Sequence, residues 1–527
     1  MRSDYDVVVV GAGLSGLVSA ALFSKAGKKT ALLEMDTHVG GYLVGFNRSG
    51  FHFDSSIHWL NQCGSDGSVT KALKWIGDDF PRCRDLKNIR RFVTDKHSFV
   101  LTNNPDELKV ELIKTFPHEK KGLIRFFKDA SDMAKVLGQY STRVKGVAPG
   151  SFLKKINSAL STAKFGMFFV RFIRFTGEKG IIKGLKKYFS DPDLLDLWAV
   201  ENDLLSCFIP IAWAYNRDYQ CSPIGGAETI IKWLENKCRE TGCDIFLSTK
   251  VKKINNSGNI ATGVTVLKNG KELNLKSDIV IVASDVETFY ERLLDPSLSS
   301  PDFLKKLKDA ELYSSAVTLS IGLDCKAETL GFSEEMIIFS DSSASRKESS
   351  SGSAENSCIT MFSPTVRDPS MAPAGKGTLV VFVPAFFDHF DNWGTVIRDS
   401  GEFVRGEKYR QIKKEFASIV IKRIEKRLDK KIQDHIEHLD IATPVTYYRY
   451  TGNRKGSMMG ARPGKSNYKA KIAHHITPLK NVFLSGHWSA LGGGVPIAVS
   501  TALSSFLFAA KDKMPEKYQE LSKYLNS

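Results

Sequence analysis

Three glycines and one glutamate near the start of the chain have the types and the spacing to bind a dinucleotide. The glycines are Gly11, Gly13 and Gly16, in a G-x-G-x-x-G arrangement, and the acid is Glu34. In such a segment the first glycine permits a tight turn, the second lets a pyrophosphate approach the backbone, and the third lets a helix lie close to a strand. A carboxylate at Glu34 can accept hydrogen bonds from ribose hydroxyl groups and would repel a 2′-phosphate. The pattern predicts a site for a dinucleotide that lacks this phosphate.

A strand, a helix and a second strand must position these residues. Residues 7–10 form a run of valines, which is typical of a strand buried on both faces. Apolar residues then recur at helical spacing: Leu14, Leu17, Val18, Ala21 and Leu22. The N-terminus of that helix offers free N–H groups and a partial positive charge to phosphates. Residues 30–33 form the second strand, with Glu34 at its tip. We therefore predict an α/β unit rather than an isolated glycine-rich turn.

Composition and charge narrow the class of function. The chain has 527 residues, which predicts more than one domain, and its 42% hydrophobic and 25% charged content is that of a globular protein. The net charge of +16 suits a nucleic acid or an anionic membrane. Because zinc-finger spacing and RNA-binding motifs are absent from the sequence, we predict no nucleic-acid partner. The eight cysteines form no C-x-x-C motif, so we predict no metal site and thiols in a reducing compartment.

Residues 151–189 combine basic, aromatic and aliphatic side chains. The basic residues are Lys154, Lys155, Lys164, Arg171, Arg174, Lys179, Lys183, Lys186 and Lys187, and the only acid is Glu178. The apolar residues between them are Phe165, Met167, Phe168, Phe169, Phe172, Ile173 and Phe175. This combination predicts helices that contact an anionic membrane surface, where each cation contributes on the order of 1 kcal/mol. The alternative is a core helix with a basic solvated face. We predict a cytoplasmic protein that is peripherally associated with a membrane.

Further glycine-bearing stretches follow the first one. Gly40 and Gly41 precede a short strand at residues 51–54, and S-P-I-G-G-A at residues 222–227 precedes a helix, a strand and Val251. Asn269-Gly270 predicts a hairpin turn, after which residues 278–284 form a buried strand. Near the end, N-V-F-L-S-G at residues 481–486 is followed by G-G-G-V-P at residues 492–496. A helix N-terminus behind such glycines can stabilise the partly anionic edge of a ring.

Four of these stretches, in this order and spacing, resemble the flavin-dependent carotenoid desaturase family, which includes phytoene desaturases, carotenoid isomerases and retinol saturases. The resemblance covers most of the chain. It implies FAD as cofactor and an α/β fold, with a two-dinucleotide-fold (Rossmann-like) FAD domain and an inserted α+β substrate domain. The implied FAD domain is discontinuous and comprises residues 1–62, 222–290 and 441–527. The substrate domain comprises residues 63–221 and 291–440.

The resemblance also assigns residues to the cofactor. Those implied to contact FAD are Gly11, Gly13, Leu14, Ser15, Gly16, Glu34, Met35, Gly40, Gly41, Val251, Gly486, Gly494 and Val495. The chain departs from the family pattern at three positions: His487 replaces an acid, Ser56 replaces a glycine, and Thr501 replaces another glycine. His58 and His487 flank the implied flavin. Either histidine could help to move a proton, or both could merely hydrogen-bond the cofactor or the backbone.

The expected reaction is hydride transfer at flavin N5 on a membrane-dissolved isoprenoid or polyene, because only one dinucleotide fingerprint is visible and a flavin must then carry the redox step. Desaturation, saturation and isomerisation of C=C bonds remain open, and so does the electron acceptor. Two alternatives also remain. One is a flavin amine oxidase of the same fold, and the other is a non-catalytic relative that binds prenyl groups or lipids.

Overall fold

The structure is a computed structural model. It describes residues 2–56, 59–141, 144–148, 160, 163, 166–168, 170–198, 201, 203–340, 346–398, 403–462, 467, 475–488 and 492–527. His58 and most of residues 149–165 lie outside this described part of the chain, and so does Phe169. No helix among the described residues is both long enough and apolar enough to cross a bilayer.

Eighteen strands are present in the described residues. In chain order they are β1 (Asp4–Val10), β2 (Thr30–Leu33), β3 (Gly45–Arg48), β4 (Phe51–Asp54), β5 (Asn88–Val93), β6 (Ser98–Thr102), β7 (Asp244–Phe246), β8 (Thr249–Ser257), β9 (Ile260–Lys268), β10 (Lys271–Val282), β11 (Ser315–Leu323), β12 (Met336–Phe339), β13 (Ile359–Phe362), β14 (Gly377–Ala385), β15 (Val396–Ile397), β16 (Phe403–Val404), β17 (Ile436–Ala442) and β18 (Val482–Leu484).

The longer helices of the described residues surround these strands. In chain order they are α1 (Leu14–Lys25), α2 (Ser68–Ile76), α3 (Pro105–Thr115), α4 (Lys120–Ser141), α5 (Gly177–Leu185), α6 (Pro192–Trp198), α7 (Leu204–Tyr215), α8 (Glu228–Glu240), α9 (Pro301–Lys308), α10 (Glu407–Leu428), α11 (Pro444–Thr451), α12 (Val495–Lys513) and α13 (Pro515–Asn526).

The first sheet carries the glycine segments at the ends of its strands. Its order is β7-β2-β1-β10-β9-β8, and β18 also pairs with β10. The neighbours β7–β2, β2–β1, β1–β10 and β10–β18 are parallel, whereas β8, β9 and β10 form an antiparallel meander. Val7 and Val9 pack towards α1, α8 and α12, and Val8 and Val10 pack towards the meander. The strand predicted from the valine run is therefore confirmed, with both faces buried.

Strand β10 differs from the sequence prediction in its length. The hairpin at Asn269-Gly270 is present, because Lys271 pairs with Lys268. However, its second arm continues without a break into the buried strand that was expected to be separate. The first half of β10 pairs with β9 and the second half pairs with β1 and β18. One strand thus joins the meander to the parallel sheet, and its N-terminal residues have an exposed face whereas its last four residues are buried.

The second sheet brings together strands from distant parts of the chain. Its order is β17-β11-β14-β13-β12-β5-β6, and all neighbours are antiparallel except β12 and β5. Helix α10 packs on one face of this sheet through Phe416, Val420 and Ile424. Helices α4 and α7 pack on each other around Phe126 and Phe208, whose ring centroids lie 4.7 Å apart. These two helices form one wall of the cavity described below.

Asp54, the last residue of β4, makes the stability of the fold depend on pH. Its Oδ1 accepts a hydrogen bond of 2.9 Å from the Ala227 N–H, and burial raises the pKa of Asp54 to about 7. A carboxyl group whose pKa is higher in the folded state stabilises the fold at low pH and loses that contribution as the pH rises through about 7. We expect Asp54→Asn to raise the melting temperature by about 2 °C or more at pH 8 and by less at pH 5. The control is Asp66→Asn, at an exposed site. Equal shifts at both pH values would contradict this account.

Candidate cofactor and substrate cavity

One cavity of about 2250 Å³ reaches from the carboxyl ends of β1, β2 and β10 to helices α4 and α7. The predicted FAD residues that line it are Gly11, Gly13, Leu14, Ser15, Glu34, Met35, Gly40, Gly41, Val251, Gly486, Gly494 and Val495. His487 lines it as well, whereas Gly16 does not. Ligands of open α/β sheets bind at such strand ends, so the cavity has the position expected for a dinucleotide.

The three N-terminal glycines have different surroundings. A Cβ atom on Gly16 would lie 1.9 Å from the Gly11 carbonyl oxygen, so α1 can approach β1 only if this residue is glycine. Gly11 has a φ of +95°, and a Cβ there would lie 2.9 Å from the Ala283 oxygen. By contrast, a Cβ on Gly13 would meet nothing within 4 Å and would occupy the cavity. Because Gly13 precedes α1 and no side chain caps that helix, its N–H groups are available to an anion.

Glu34 supports the glycine turn as well as lining the cavity. Its Oε2 accepts a hydrogen bond of 2.8 Å from the Ala12 N–H, and its Oε1 accepts one of 2.9 Å from the Asp36 N–H. A carboxylate accepts about four hydrogen bonds, so it retains capacity for ribose hydroxyl groups. Met35, which is 50% exposed, and Val251 line the same end of the cavity. The sequence predicted a ribose acceptor at Glu34 but not this structural role.

Gly40 and Gly41 lie directly against the first glycine turn. The Gly40 N–H donates a hydrogen bond of 2.9 Å to the Ala12 oxygen. Gly40 and Gly41 have φ values of +128° and +57°, and a Cβ on Gly41 would lie 3.3 Å from the Cα of Gly13. The second glycine pair is therefore required by close backbone contact as well as by its own left-handed conformation.

Near the start of α1, where a Cβ on Gly486 would lie 3.6 Å from Ser15 Oγ, Thr501 holds the turn that follows β18. The Gly486 N–H donates a hydrogen bond of 2.9 Å to Thr501 Oγ1, which also lies 3.0 Å from the carbonyl oxygens of Gly486 and Ala498. This explains why a threonine is accommodated where the family pattern has glycine. Helix α12 starts at Val495, directly after Gly494, without a side-chain cap. Its first N–H groups are therefore also available at the cavity wall.

We expect Thr501→Val to weaken FAD binding. Valine has nearly the shape of threonine, but it leaves the Gly486 N–H without its acceptor, which costs about 1–3 kcal/mol. If half of this cost appears in binding, the Kd for FAD rises by roughly twofold to tenfold. Flavin fluorescence during dilution measures the release. The control is Thr115→Val, because the exposed Thr115 hydroxyl bonds only within its own helix, to the Glu111 oxygen. A Kd equal to that of the parent protein would show that the Gly486 turn does not need the hydrogen bond to Thr501.

Buried polar atoms at the cavity wall have no protein partner. Ser284 Oγ and His487 Nε2 are buried and form no hydrogen bond with the described residues. Leaving such atoms unsatisfied costs about 1–3 kcal/mol each, so a polar ligand is expected here. Burial lowers the pKa of His487 to about 4, which keeps the imidazole neutral between pH 5 and 8. Together with the open space at Gly13, these atoms fit the polar groups of FAD.

Several wall residues were not predicted from the sequence. The Tyr42 hydroxyl donates a hydrogen bond of 2.7 Å to the Ser457 oxygen and accepts one of 3.1 Å from Asn453 Nδ2. Ser284 and Asp285 lie two and three residues after the end of β10, and Asp285 Oδ1 accepts a hydrogen bond of 2.8 Å from the Thr288 N–H. Ser284 and Asp285 could have been predicted from the sequence, because residues at the carboxyl end of a predicted parallel strand face the ligand crevice. No sequence signal identified Tyr42.

The far arm of the cavity is apolar. Helix α7 lines it with Leu205, Ile209 and Trp213, which are spaced by four residues and therefore share one face. Helix α4 contributes Met133 and Leu137, again at a spacing of four. We refer to this region as the apolar arm.

The apolar arm opens at its outer end. Val170 lines the cavity and is nevertheless 66% exposed, so the opening lies at this residue. Ile173, Arg174 and Thr176 follow it along the wall. Of the two predicted catalytic residues, His487 lies in the cavity, and His58 lies outside the described residues.

A cavity that joins a dinucleotide site to an apolar arm is consistent with a cofactor-dependent enzyme. Comparison with known families identifies the family of enzyme. The family model described as flavin-containing amine oxidoreductase matches residues 14–505. The chain belongs to this family. It is therefore a flavin oxidoreductase, and its cofactor is FAD.

Similar proteins within this family act on retinoids and carotenoids. All-trans-retinol 13,14-reductase of Danio rerio is 26% identical over 536 residues, which cover 92% of this chain and 82% of that protein. Chloroplastic prolycopene isomerase of Daucus carota is 26% identical over 535 residues, which cover 98% of this chain and 81% of that protein. A crystal structure of an oxidoreductase from Methanosarcina mazei has a TM-score of 0.58 at 17% identity and covers 94% of this chain and 99% of its own. The Rossmann-like FAD fold predicted from the sequence is thus confirmed.

Proposed function

We propose that this flavoenzyme acts on a long isoprenoid or polyene taken from a membrane and changes its C=C bonds by hydride transfer at flavin N5. The observation that carries this proposal is the apolar arm, which is continuous with the dinucleotide end of the cavity. When bound, FAD supplies a hydride donor or acceptor. The names of the two relatives, which act on retinol and prolycopene, support the same substrate class.

The walls of the apolar arm suit a reaction that depends on position and on the exclusion of water. Leu205, Ile209 and Trp213 offer no charged group to an extended hydrocarbon, and Met133 faces the same space. Hydride transfer requires the two reacting atoms to be held close together in a dry site. His487 is neutral at physiological pH, so within this proposal it can accept a proton or donate a hydrogen bond, but it carries no proton to give away as a cation. A catalytic role for His58 stays a prediction.

The opening of the apolar arm supports contact with a membrane. Met167 and Val170 each expose 66% of their surface. Arg171 and Arg174 are exposed beside them, and each guanidinium lies over a phenylalanine ring. Exposed apolar side chains with flanking cations are what an anionic lipid surface binds. A lipophilic substrate could then enter the cavity without crossing water.

The two alternatives from the sequence receive less support. A cage for an amine would need two aromatic faces about 7–8 Å apart, which is twice the contact distance between carbon atoms. The rings of Tyr42 and Tyr447, which both line the cavity, have centroids only 6.4 Å apart and are tilted by 35°. A non-catalytic lipid-binding role would not require the free space at Gly13 or the unpartnered atoms of Ser284 and His487.

The test uses the purified protein loaded with FAD and liposomes that contain one polyene or isoprenoid at a time, with retinol and prolycopene included. Under anaerobic conditions we expect at least one of them to reduce the bound flavin, to be reduced by chemically pre-reduced enzyme, or to change its isomer. Flavin absorbance and product chromatography distinguish these three reactions. The same assay with putrescine and other amines tests the amine oxidase alternative. Turnover of amines without change in any polyene would overturn the proposal.

A further inference from the structure

The geometry points to a hydroxyl-recognition site at the inner end of the apolar arm, formed by Asn61, Gln62 and Asp218. We call these three residues the inner polar cluster. They define the substrate as an isoprenoid or polyene alcohol rather than a hydrocarbon, and this assignment rests on the function proposed above. Each of the three lines the cavity, and Asp218 is only 7% exposed.

Hydrogen bonds within the inner polar cluster hold Asp218 in place. Its carboxylate accepts hydrogen bonds from the Gln62 backbone N–H and, at 2.5 Å, from Gln62 Nε2. The Asn61 amide donates to the Asp218 backbone oxygen, and its Oδ1 accepts a hydrogen bond of 3.0 Å from Trp59 Nε1. Trp59 also lines the cavity, so an aromatic face lies beside the polar groups.

The backbone around the inner polar cluster is constrained to keep this arrangement. Gln62 has a φ of +59°, in the left-handed region that is unfavourable for a residue with a side chain. Leu60 and Gln220 exchange two backbone hydrogen bonds of 2.8 Å, which join the two chain segments that carry the cluster. A Cβ on Gly67 would lie 2.1 Å from the Gln62 oxygen, so only glycine permits this path.

The carboxylate of Asp218 has acceptor capacity that the protein does not use. A carboxylate accepts about four hydrogen bonds, and the described residues supply two. Burial raises the pKa of Asp218 to about 6, and the nearby Asp85 acts in the same direction. A hydroxyl group of the substrate would satisfy a lone pair that a hydrocarbon would leave desolvated, at a cost of about 1–3 kcal/mol. A site with such an unpaired group discriminates strongly against the analogue that lacks the hydroxyl.

The length of helix α7 sets where the hydroxyl must lie. From Leu205 to Trp213 the apolar face spans about 12 Å, at 1.5 Å per residue. Asp203, whose backbone bridges to Thr176, marks the outer end near the opening, and Asp218 marks the inner end. An extended molecule that enters with its polar end first would therefore place that end at the inner polar cluster, while its apolar body lies along α7.

The test compares three C20 ligands that differ only in their terminal group, added to the FAD-loaded protein in detergent micelles. They are all-trans-retinol, the hydrocarbon in which hydrogen replaces its hydroxyl group, and the corresponding amine. The change in flavin absorbance gives each Kd. For the parent protein we expect the alcohol to bind at least tenfold more tightly than the hydrocarbon. The amine, whose N–H groups donate to the same carboxylate, should also bind more tightly than the hydrocarbon.

Variants of the inner polar cluster separate recognition from structure. We expect Asp218→Ala to abolish the preference for the alcohol, chiefly because the hydrocarbon binds more tightly once no carboxylate is left desolvated. Asp218→Asn, which keeps one carbonyl acceptor and the shape of the side chain, should retain a preference of about threefold for the alcohol over the hydrocarbon. This variant remains informative if the alanine variant loses its flavin. The matched control is Asp85→Asn, because Asp85 accepts a hydrogen bond from Gln220 behind the cluster and does not line the cavity.

Two outcomes would overturn the assignment of the inner polar cluster. They are equal binding of alcohol and hydrocarbon by the parent protein, and an alcohol preference that both Asp218 variants leave unchanged. If all three ligands bind equally, the proposed substrate class survives and only the hydroxyl site is wrong. If no ligand perturbs the flavin, the proposed function fails together with the site.

Discussion

Replacing Gly13 by valine should give a folded protein that has lost its flavin. The backbone at Gly13 is extended, with φ at −69° and ψ at 179°, so a side chain causes no strain. No atom lies within 4 Å of a Cβ built there, so the protein itself does not resist the change. The side chain instead occupies the space where the pyrophosphate approaches the N-terminus of α1. We expect the affinity for FAD to fall by at least a hundredfold and the purified variant to be colourless.

Two quantities are measured for each variant: the flavin absorbance per polypeptide and the melting temperature. The melting temperature is compared with that of the flavin-free parent protein. Gly406→Val is the matched control, because Gly406 also precedes a helix, has an extended backbone and has no atom within 4 Å of an added Cβ. Gly16→Ala provides the contrast. Its Cβ would lie 1.9 Å from the Gly11 oxygen, so it should lower the melting temperature as well as the flavin content. A yellow Gly13→Val protein would contradict the placement of the pyrophosphate.

Replacing Val170 by glutamate should weaken binding to anionic vesicles by tenfold or more. Val170 is 66% exposed at the opening of the apolar arm, where it is accompanied by Met167, Arg171 and Arg174. The substitution removes apolar surface and adds a negative charge among the cations, and both changes oppose association with anionic lipid. Co-sedimentation with vesicles that contain anionic lipid, at low and at physiological salt, measures the effect.

A matched variant exists elsewhere on the surface. Val110 lies on α3, is 63% exposed and does not line the cavity, so Val110→Glu introduces the same change at the same exposure. We expect it to leave vesicle binding within twofold of the parent protein. If both variants lose binding equally, net charge alone governs the association. If neither loses binding, the opening of the apolar arm is not the surface that meets the membrane.

Much of the dinucleotide end could be predicted because its determinants are local. The valine run, the glycine spacing and the apolar positions of α1 each follow from a few consecutive residues, and β1, α1 and β2 form where they were expected. The hairpin at Asn269-Gly270 follows from a dipeptide that favours its turn. The exception was the length of β10, because the point at which a strand changes partners is set by its neighbours rather than by its own residues.

The substrate end could not be predicted in the same way. Tyr42 and Gln62 lie far along the chain from Asp218 and the apolar face of α7. Their proximity depends on the packing of α4 and α7 and on the pairing of residues 60 and 220. Thr501 was read as a departure from the family pattern. Its hydroxyl proves to hold Gly486, which is fifteen residues away along the chain.

By itself, the sequence determined the cofactor, the family and the strand-and-helix unit that carries the dinucleotide fingerprint. These depend on backbone conformation and helix amphipathicity, which short segments encode. The tertiary structure alone decided that Gly13 faces open space while Gly16 does not, that Glu34 also supports the turn, and that an apolar arm continues from the cofactor end. Contacts between distant residues have no local signature, because they arise only when the core is packed and each side chain is assigned to a wall, an interface or a cavity.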